Sequence, residues 1–270
     1  MVNLNSFIHA HALRQPDRPA LIYADQRVSY AALDQRIARA AAFLASKGIG
    51  PGDIVAVFMK NSAAFVEIAF ATSHLGAVFL PVNFRLSGEE CGYIVAHAGA
   101  RLLLADEEFA ATVAGIDNVV LVDAAAQSDS GRLASPGLAV PAPQVRKPED
   151  LFRLMYTSGT TDRPKGVMHS YENFYWKCMD HVIALGMTAA DRLLAVGPLY
   201  HVGAFDLPGI AILWVGGTLI VQRQFDEAET LALIEAERVT CAWFAPMMVG
   251  RMLALQGAET YDLSSFKWCI

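Results

Sequence analysis

Apolar residues along the first half of the chain follow two different spacings. In residues 33–44 they recur three or four positions apart, which predicts an amphipathic helix that ends before Gly48. Short unbroken apolar runs, such as residues 54–59, instead predict buried strands. Together the two patterns predict helices over 4–14, 30–47, 61–74 and 88–98, a hairpin over 20–23 and 27–30, and strands over 54–59, 76–82, 101–105 and 119–122.

Polar side chains at the starts of these helices suit capping roles. Ser29, Asn61, Ser62 and Ser170 each stand just before an apolar-periodic segment, where a side-chain oxygen can accept a hydrogen bond from a free backbone N–H. The regular alternation of helix and strand predicts an α/β fold with a parallel, helix-covered sheet.

The periodicity disappears over residues 123–150, which contain four prolines and many Ala, Ser and Gly residues. We therefore predict a first α/β subdomain over residues 1–122, a connection over 123–150, and a second α/β subdomain over 151–270. Apolar runs at residues 151–156, 193–199, 239–242 and 266–270 are expected to be strands of the second unit.

Composition excludes several classes of protein. Hydrophobic residues make up 54% of the 270 positions and charged residues 18%, which indicates a globular chain. The net charge of -6, with scattered Lys and Arg, argues against a nucleic-acid partner. The apolar segment 209–221 is too short for a bilayer, which needs about 20 residues. No signal-peptide pattern opens the chain, so we expect a cytoplasmic protein.

Cysteine and histidine spacing predicts no metal centre. Cys91, Cys178, Cys241 and Cys269 are far apart and are expected to be reduced core thiols. The histidines at positions 9 and 11 are expected to lie on a solvated helix.

Residues 157–166 carry the clearest chemical signal. Four hydroxyl side chains, two glycines and Lys165 follow the strand at 151–156, and a helix is expected next, with Ser170 as its cap. Backbone N–H groups, hydroxyls and an ammonium in this arrangement are suited to holding a polyphosphate. Pro164 and Gly166 rule out the P-loop ATPase pattern. The hydrolase nucleophile elbow is excluded too, because it would need glycine at positions 156 and 160.

The segment 156–167 resembles the signature loop of the adenylate-forming enzymes, the AMP-binding superfamily, and in particular the acyl-CoA synthetases and CoA ligases. Further segments resemble that family in its own order: 52–57 with 61–62, 75–78 with 81–83, 198–203, and 262–265. The resemblance covers nearly the whole chain. The family usually has glycine where this chain has Asp162, so replacing Asp162 with glycine is expected to leave activity equal or higher.

The resemblance implies a fold, an activity and co-substrates. The fold would be the stacked, helix-covered, largely parallel sheets of the family's large N-terminal domain, here truncated. The activity would be that of an AMP-forming acid–thiol ligase, which converts a hydrophobic carboxylic acid and ATP into an acyl-adenylate and transfers the acyl group to coenzyme A. Magnesium would accompany ATP, and no metal ligand is assigned in this chain.

Site residues follow from the same resemblance, residue by residue. His201 would lie between the acyl group and the phosphates as the catalytic residue, although a hydrogen-bonded core histidine is the alternative. Tyr200 and His201 would also contact the acyl substrate. Trp243 and Phe244 follow the apolar run 239–242, near a predicted strand end, and are further candidates for the acyl pocket wall, with ordinary core packing as the alternative. The phosphates would be held by Thr157, Ser158, Gly159, Thr160, Thr161 and Lys165.

The chain stops at an apolar run, residues 266–270, which we expect to form a strand at an unpaired sheet edge. In the family, the adenine, ribose and magnesium motifs and the C-terminal domain come later, so the 270 residues alone are expected to be inactive. The alternative hypothesis is a non-catalytic module that binds nucleotide phosphates or a protein partner. The carboxylic acid, the oligomeric state, the native terminus and the effect of Asp162 stay open.

Overall fold

The computed structural model describes residues 3–123, 133, 137–157 and 163–270. The helices in these ranges are α1 (Asn5–Arg14), α2 (Tyr30–Ser46), α3 (Ala63–His74), α4 (Gly88–Ala98), α5 (Ala110–Val113), α6 (Tyr171–Ala184), α7 (Val202–Asp206), α8 (Ala211–Trp214), α9 (Glu227–Ala236) and α10 (Pro246–Ala254), with 3-10 turns at Glu107–Phe109 and Ala258–Thr260. The strands are β1 (Pro19–Tyr23), β2 (Gln26–Ser29), β3 (Ile54–Phe58), β4 (Val78–Pro81), β5 (Leu102–Asp106), β6 (Val119–Val122), β7 (Leu151–Thr157), β8 (Lys165–Ser170), β9 (Arg192–Ala195), β10 (Thr218–Val221), β11 (Cys241–Ala242) and β12 (Trp268–Cys269).

The strands form two sheets. The first sheet has the order β6-β5-β3-β4-β7-β8 and is parallel except for β8. The second has the order β12-β11-β9-β10-β1-β2 and is parallel except for β2. The predicted fold class, an α/β arrangement of largely parallel sheets flanked by helices, is confirmed.

Sheet membership crosses the segment 123–150 in both directions. The N-terminal hairpin β1–β2 joins the second sheet, where β1 pairs with β10, while β7 and β8 join the first sheet through β4. The hairpin itself is confirmed as predicted. The division of the chain into two subdomains at residues 123–150 stays a prediction.

The main core lies between the two sheets. All residues of α3 are buried there, beneath apolar side chains from both sheets such as Val57 and Leu219. Burial on every face explains why α3 has an almost continuous apolar sequence instead of an amphipathic stripe. Its only carboxylate, Glu67, is buried and pairs with Arg36 at 2.8 Å.

Three predicted serine caps are confirmed. The hydroxyls of Ser29, Ser62 and Ser170 accept hydrogen bonds from backbone N–H groups three residues ahead, at 3.1–3.2 Å. Asn61 was the alternative cap for α3, but the side chain of Ser62 fills that role. The amide of Asn61 therefore remains available for other contacts.

Strand β8 corrects one prediction. The sequence pattern led directly from the loop and Lys165 to a helix, but Lys165–Ser170 pairs antiparallel with β7 before α6 begins. Because Val167 and Met168 are both exposed, this segment lacks the alternation that marks a half-buried strand. Pairing with β7 makes it a strand, so Lys165 begins a strand and does not lead directly into a helix.

Two smaller predictions are wrong in part. Cys91, Cys178 and Cys241 are buried thiols, whereas Cys269 is exposed because it lies on β12, the outermost strand of the second sheet. His9 is solvated and pairs with Asp34, but His11 is partly buried and donates to the carbonyl of Trp214 at 2.9 Å. In the described part of the chain, no helix combines the length and apolar character needed to cross a bilayer.

Candidate active site

Loops at the carboxyl ends of both sheets meet in one crevice, and the side chain of Asn61 joins them. Asn61 follows β3, and its Nδ2 donates to the carbonyl of Gly197 at 2.7 Å and to that of Gln222 at 3.0 Å. Its Oδ1 accepts from the backbone N–H of Leu199 at 2.7 Å. The ends of β3, β9 and β10 are thereby held together, in the position where open α/β sheets bind ligands.

Tyr200 connects this crevice to the strand end that carries the phosphate loop. Its hydroxyl accepts from Arg85 at 2.8 Å, and its ring packs edge-on against Phe84 with centroids 5.5 Å apart. Phe84 and Arg85 follow β4, which pairs parallel with β7, so their loop and the loop after Thr157 leave the same sheet edge.

Thr157 and Lys165 frame the predicted phosphate loop. They are direct partners across β7 and β8, and both are exposed. Lys165 makes no ion pair with any residue that the structure describes. A Cβ at Gly166 would lie 3.2 Å from the ring of Tyr156, which is a tight contact, so glycine allows the strand to lie close to this ring. The other predicted phosphate contacts, Ser158, Gly159, Thr160 and Thr161, lie outside the described residues, as does Asp162.

His201 lies at the surface of the crevice and not in the core. It is exposed and caps the five-residue helix α7, where its Nδ1 accepts from the backbone N–H of Gly203 at 3.2 Å. Because Nδ1 accepts, Nε2 carries the hydrogen of the neutral ring, and this N–H has no hydrogen-bond partner among the residues that the structure describes. The alternative of a core histidine does not match this exposure.

The structure separates Trp243 from Phe244. The ring of Trp243 packs so closely against the loop around His201 that a Cβ at Gly197 or Gly203 would lie 2.6 or 2.5 Å from it. Phe244 instead belongs to an apolar cluster with Phe266 and the side chains of α9 and α10. It lines a separate cavity of about 440 Å³. Trp243 therefore lies beside the loop of His201, whereas Phe244 lies in the cluster beneath α9 and α10.

Arginines line a small cavity of about 160 Å³ in the crevice, beside Asn61 and Pro198. Arg85 and Arg223 are among its walls. Arg223 pairs with Asp106 at 3.1 Å and also with Glu108. Burial raises the pKa of Asp106 to about 6, although the charge of Arg223 opposes the shift. Because Asp106 and Glu108 offset the charge of Arg223, Arg85 is the cation of these two that suits an anionic ligand.

A buried charge cluster lies on the other side of α7, and sequence reasoning missed it. Arg153 on β7 forms two hydrogen bonds to Asp206, at 2.5 and 2.7 Å, and both side chains are 1% exposed. Lys177 on α6 reaches the same carboxylate at 2.8 Å. The Nδ1 of His169 on β8 accepts from Arg153 at 2.7 Å.

Two isolated charges of opposite sign could have revealed this cluster. Arg153 interrupts the apolar run 151–156, and Asp206 stands alone between Phe205 and Leu207. Charged residues are seldom fully buried unless they are paired. Burial raises the pKa of Asp206, but the hydrogen bonds and charges of Arg153 and Lys177 outweigh it and hold the pKa below its usual value.

Metal ligands are a further question for a polyphosphate site. Within residues 3–123, 133, 137–157 and 163–270, no three His, Cys, Asp or Glu side chains come together in a way that could hold a metal ion. These ranges therefore supply no assigned magnesium ligand.

A comparison with protein families decides the affiliation of the chain. The sequence model for AMP-binding enzymes matches residues 8–270. The chain belongs to this family. The resemblance seen in the sequence is confirmed.

Curated relatives of this AMP-binding chain are CoA ligases. It is 34% identical over 265 residues to a feruloyl-CoA synthase of Amycolatopsis sp, an alignment that covers 98% of this chain and 53% of that protein. It is 30% identical over 278 residues to the long-chain-fatty-acid–CoA ligase FadD13 of Mycobacterium tuberculosis, covering 100% and 55%. The chain thus spans about half the length of the curated relatives it matches.

Solved structures support the same affiliation. The inhibitor-bound N-terminal domain of FACL13 from Mycobacterium tuberculosis superposes with a TM-score of 0.89 at 28% identity, over 100% of this chain and 69% of that one. The predicted fold, that of the N-terminal domain of adenylate-forming enzymes, is therefore confirmed.

Proposed function

We propose that this chain is the ATP-binding and acid-activating part of an AMP-forming carboxylate–CoA ligase. The observation that carries the proposal is the crevice in which Asn61 and Tyr200 bring the loop after β9 to the sheet edge where the signature loop begins. Relatives named for feruloyl, indoleacetate and long-chain fatty acid substrates support a carboxylic acid as the group activated.

The phosphates of ATP would bind beside the paired ends of β7 and β8. Thr157 and Lys165 are partners there, and the loop sequence between them adds Ser158, Gly159, Thr160 and Thr161 as donors. Hydroxyls, backbone N–H groups and an ammonium stabilise the negative charge that develops on departing pyrophosphate. Their role is to position and neutralise, with no protein nucleophile required.

The acid would approach from the side of His201. The free Nε2–H of His201 suits a carboxylate or phosphate oxygen, and Tyr200 and Trp243 supply the adjoining aromatic surface. Phe244 was proposed for the same wall from the sequence. Its place in the cluster beneath α9 and α10 supports a packing role instead.

The reaction proceeds in two transfers. A carboxylate oxygen of the acid forms a bond to the α-phosphorus of ATP, and the bond from that phosphorus to the bridging oxygen breaks, which releases pyrophosphate. The thiolate of coenzyme A then bonds to the acyl carbon, and AMP leaves with the former carboxylate oxygen. Magnesium would accompany ATP, but we assign it no ligand in this chain.

Pyrophosphate exchange tests this proposal. Incubating the full-length protein with ATP, labelled pyrophosphate and a panel of aryl and fatty acids is expected to move label into ATP only when an acid is present. Primary release of ADP or orthophosphate would contradict it. A folded full-length protein that binds ATP but supports no exchange with any acid would favour the non-catalytic binding module.

Replacing Lys165 with alanine tests the phosphate site. A charge-assisted hydrogen bond contributes about 1.5–3 kcal/mol, so the variant is expected to bind ATP about tenfold to hundredfold more weakly. Titration calorimetry with ATP measures the change. Lys147, another exposed lysine, provides the control: Lys147→Ala should leave ATP binding unchanged. Equal affinity for both variants would exclude a phosphate contact from Lys165.

A further inference from the structure

A cavity of about 360 Å³ lies between β7, β8, α6 and α7, and it is lined by the buried charge cluster together with Phe174, Val202 and Leu207. Its volume is in the range of small-molecule sites. Helix α7 separates it from Trp243: Val202 and Asp206 face the cavity, whereas Gly203 faces the Trp243 ring. The cavity therefore adjoins the loop of His201 without being part of the crevice described above.

The polar groups around this cavity are unevenly paired. Asp206 is well paired, because both its oxygens accept from Arg153 and one also accepts from Lys177. The unused groups are donors. Lys177 is 31% exposed and donates one of its three N–H groups to Asp206. The side-chain nitrogen of Asn173 has no hydrogen-bond partner within the described ranges.

His169 adds another donor. A guanidinium can only donate, so the Nδ1 of His169 must accept from Arg153, and the ring hydrogen lies on Nε2. Burial and the charge of Arg153 lower the pKa of His169, which keeps its ring neutral near pH 7. The cationic pair of Arg153 and Lys177 against one carboxylate leaves the cavity with a net charge of about +1.

We propose that this cavity binds the far end of the acid substrate and that it selects acids whose far end carries an oxygen acceptor, a second carboxylate above all. The proposal rests on the proposed function. Free donors and a net positive charge are complemented by an anionic oxygen, whereas a hydrocarbon end that displaced water from these donors would leave them unpaired at a cost. The rings and aliphatic side chains around the cluster would contact the apolar middle of the acid.

The position of the cavity along β7 agrees with this role. Arg153 precedes Thr157 by four residues on the same face of the strand, a distance of about 13 Å. An extended acid whose activated carboxylate lies beside Thr157 could therefore reach the cavity with its other end. Lys177 would act as a specificity-determining residue, since it is the cation of the cluster with unused hydrogens and an open side.

The experiment compares matched acids on the full-length protein. α,ω-Dicarboxylic acids of graded length are assayed by pyrophosphate exchange beside the monocarboxylic acids in which a methyl group replaces the far carboxylate. The wild type is expected to prefer the diacid at one length. Lys177→Met should lower kcat/KM for that diacid about tenfold to hundredfold, with little change for the monoacid, and Lys177→Arg should restore most of it.

Lys267→Met is the matched control, because Lys267 also pairs with a buried aspartate, Asp191, but lies away from this cavity. It should change neither acid's kinetics. A wild type that prefers every monoacid, or a Lys177→Met variant that loses both acids equally, would overturn the proposal. Calorimetry with the diacid tests binding in the cavity separately from the ligase reaction. If Lys177→Met loses the diacid binding seen in the wild type and no variant supports exchange, the ligase function is rejected and the cavity is retained as a binding site.

Discussion

Arg153→Met is expected to reduce the free energy of unfolding by about 3–5 kcal/mol. The side chain of Arg153 is 1% exposed, donates two hydrogen bonds to Asp206, and lies 5.4 and 5.5 Å from the ring centres of Phe174 and Phe205. Removing it leaves Asp206 buried with only Lys177, which is 31% exposed, as a counter-charge. The midpoint of urea unfolding measures the loss.

The control for Arg153→Met removes both charges. Arg153→Met combined with Asp206→Leu should recover most of the lost stability, because an apolar pair of similar volume carries no uncompensated charge. A single variant that loses less than about 1 kcal/mol would show that the ion pair is not needed to bury Asp206. A double variant as unstable as the single one would show that lost packing, and not the unpaired charge of Asp206, causes the loss of stability.

Acid should erase the difference between the wild type and Arg153→Met. The pKa of Asp206 is below its ordinary value of 3.8 in the folded protein, so the stability that its pairing contributes is present above that value. This contribution is lost as the pH falls through the lower, folded pKa. Unfolding midpoints of the two proteins should therefore converge on acidification and stay apart at neutral pH.

Local signals in the sequence predicted most elements because those elements are locally encoded. Helix α4 occupies Gly88–Ala98 as predicted, since Ser87 and Glu90 form a capping box at its start and Gly99 adopts a left-handed conformation at its end. Strand β6 likewise matches its apolar run, Val119–Val122. Such features need only neighbouring residues.

What the sequence could not predict depends on partners outside the element itself. Strand β8 lacks the alternation of a half-buried strand and forms because it pairs with the preceding strand β7. Strand β1 belongs to the second sheet because Leu21 pairs with Leu219, almost two hundred positions away. The same limit applies to the site. Trp243 and Phe244 are adjacent aromatic residues, and the sequence makes them equal candidates for the acyl pocket wall. The packing of the Trp243 ring against Gly203 distinguishes them.

Asn61→Ala is expected to lower both stability and turnover. The side chain is 2% exposed and serves three backbone groups, so its removal leaves the carbonyls of Gly197 and Gln222 and the N–H of Leu199 without partners. Each buried unpaired group costs about 1–3 kcal/mol, which gives a loss of about 3 kcal/mol or more. Displacement of the loop that carries Tyr200 and His201 by about 1 Å could reduce kcat about a hundredfold.

Asn61→Asp separates the hydrogen bonds of Asn61 from its volume. The aspartate has nearly the same shape and can still accept from Leu199, but it cannot donate to the carbonyls of Gly197 and Gln222, and it would bring a charge into the interior. We therefore expect Asn61→Asp to be at least as damaging as Asn61→Ala. Urea unfolding and pyrophosphate exchange, both measured where the variants remain folded, test this order. Full exchange activity in either variant would show that the loop after β9 keeps its place without Asn61.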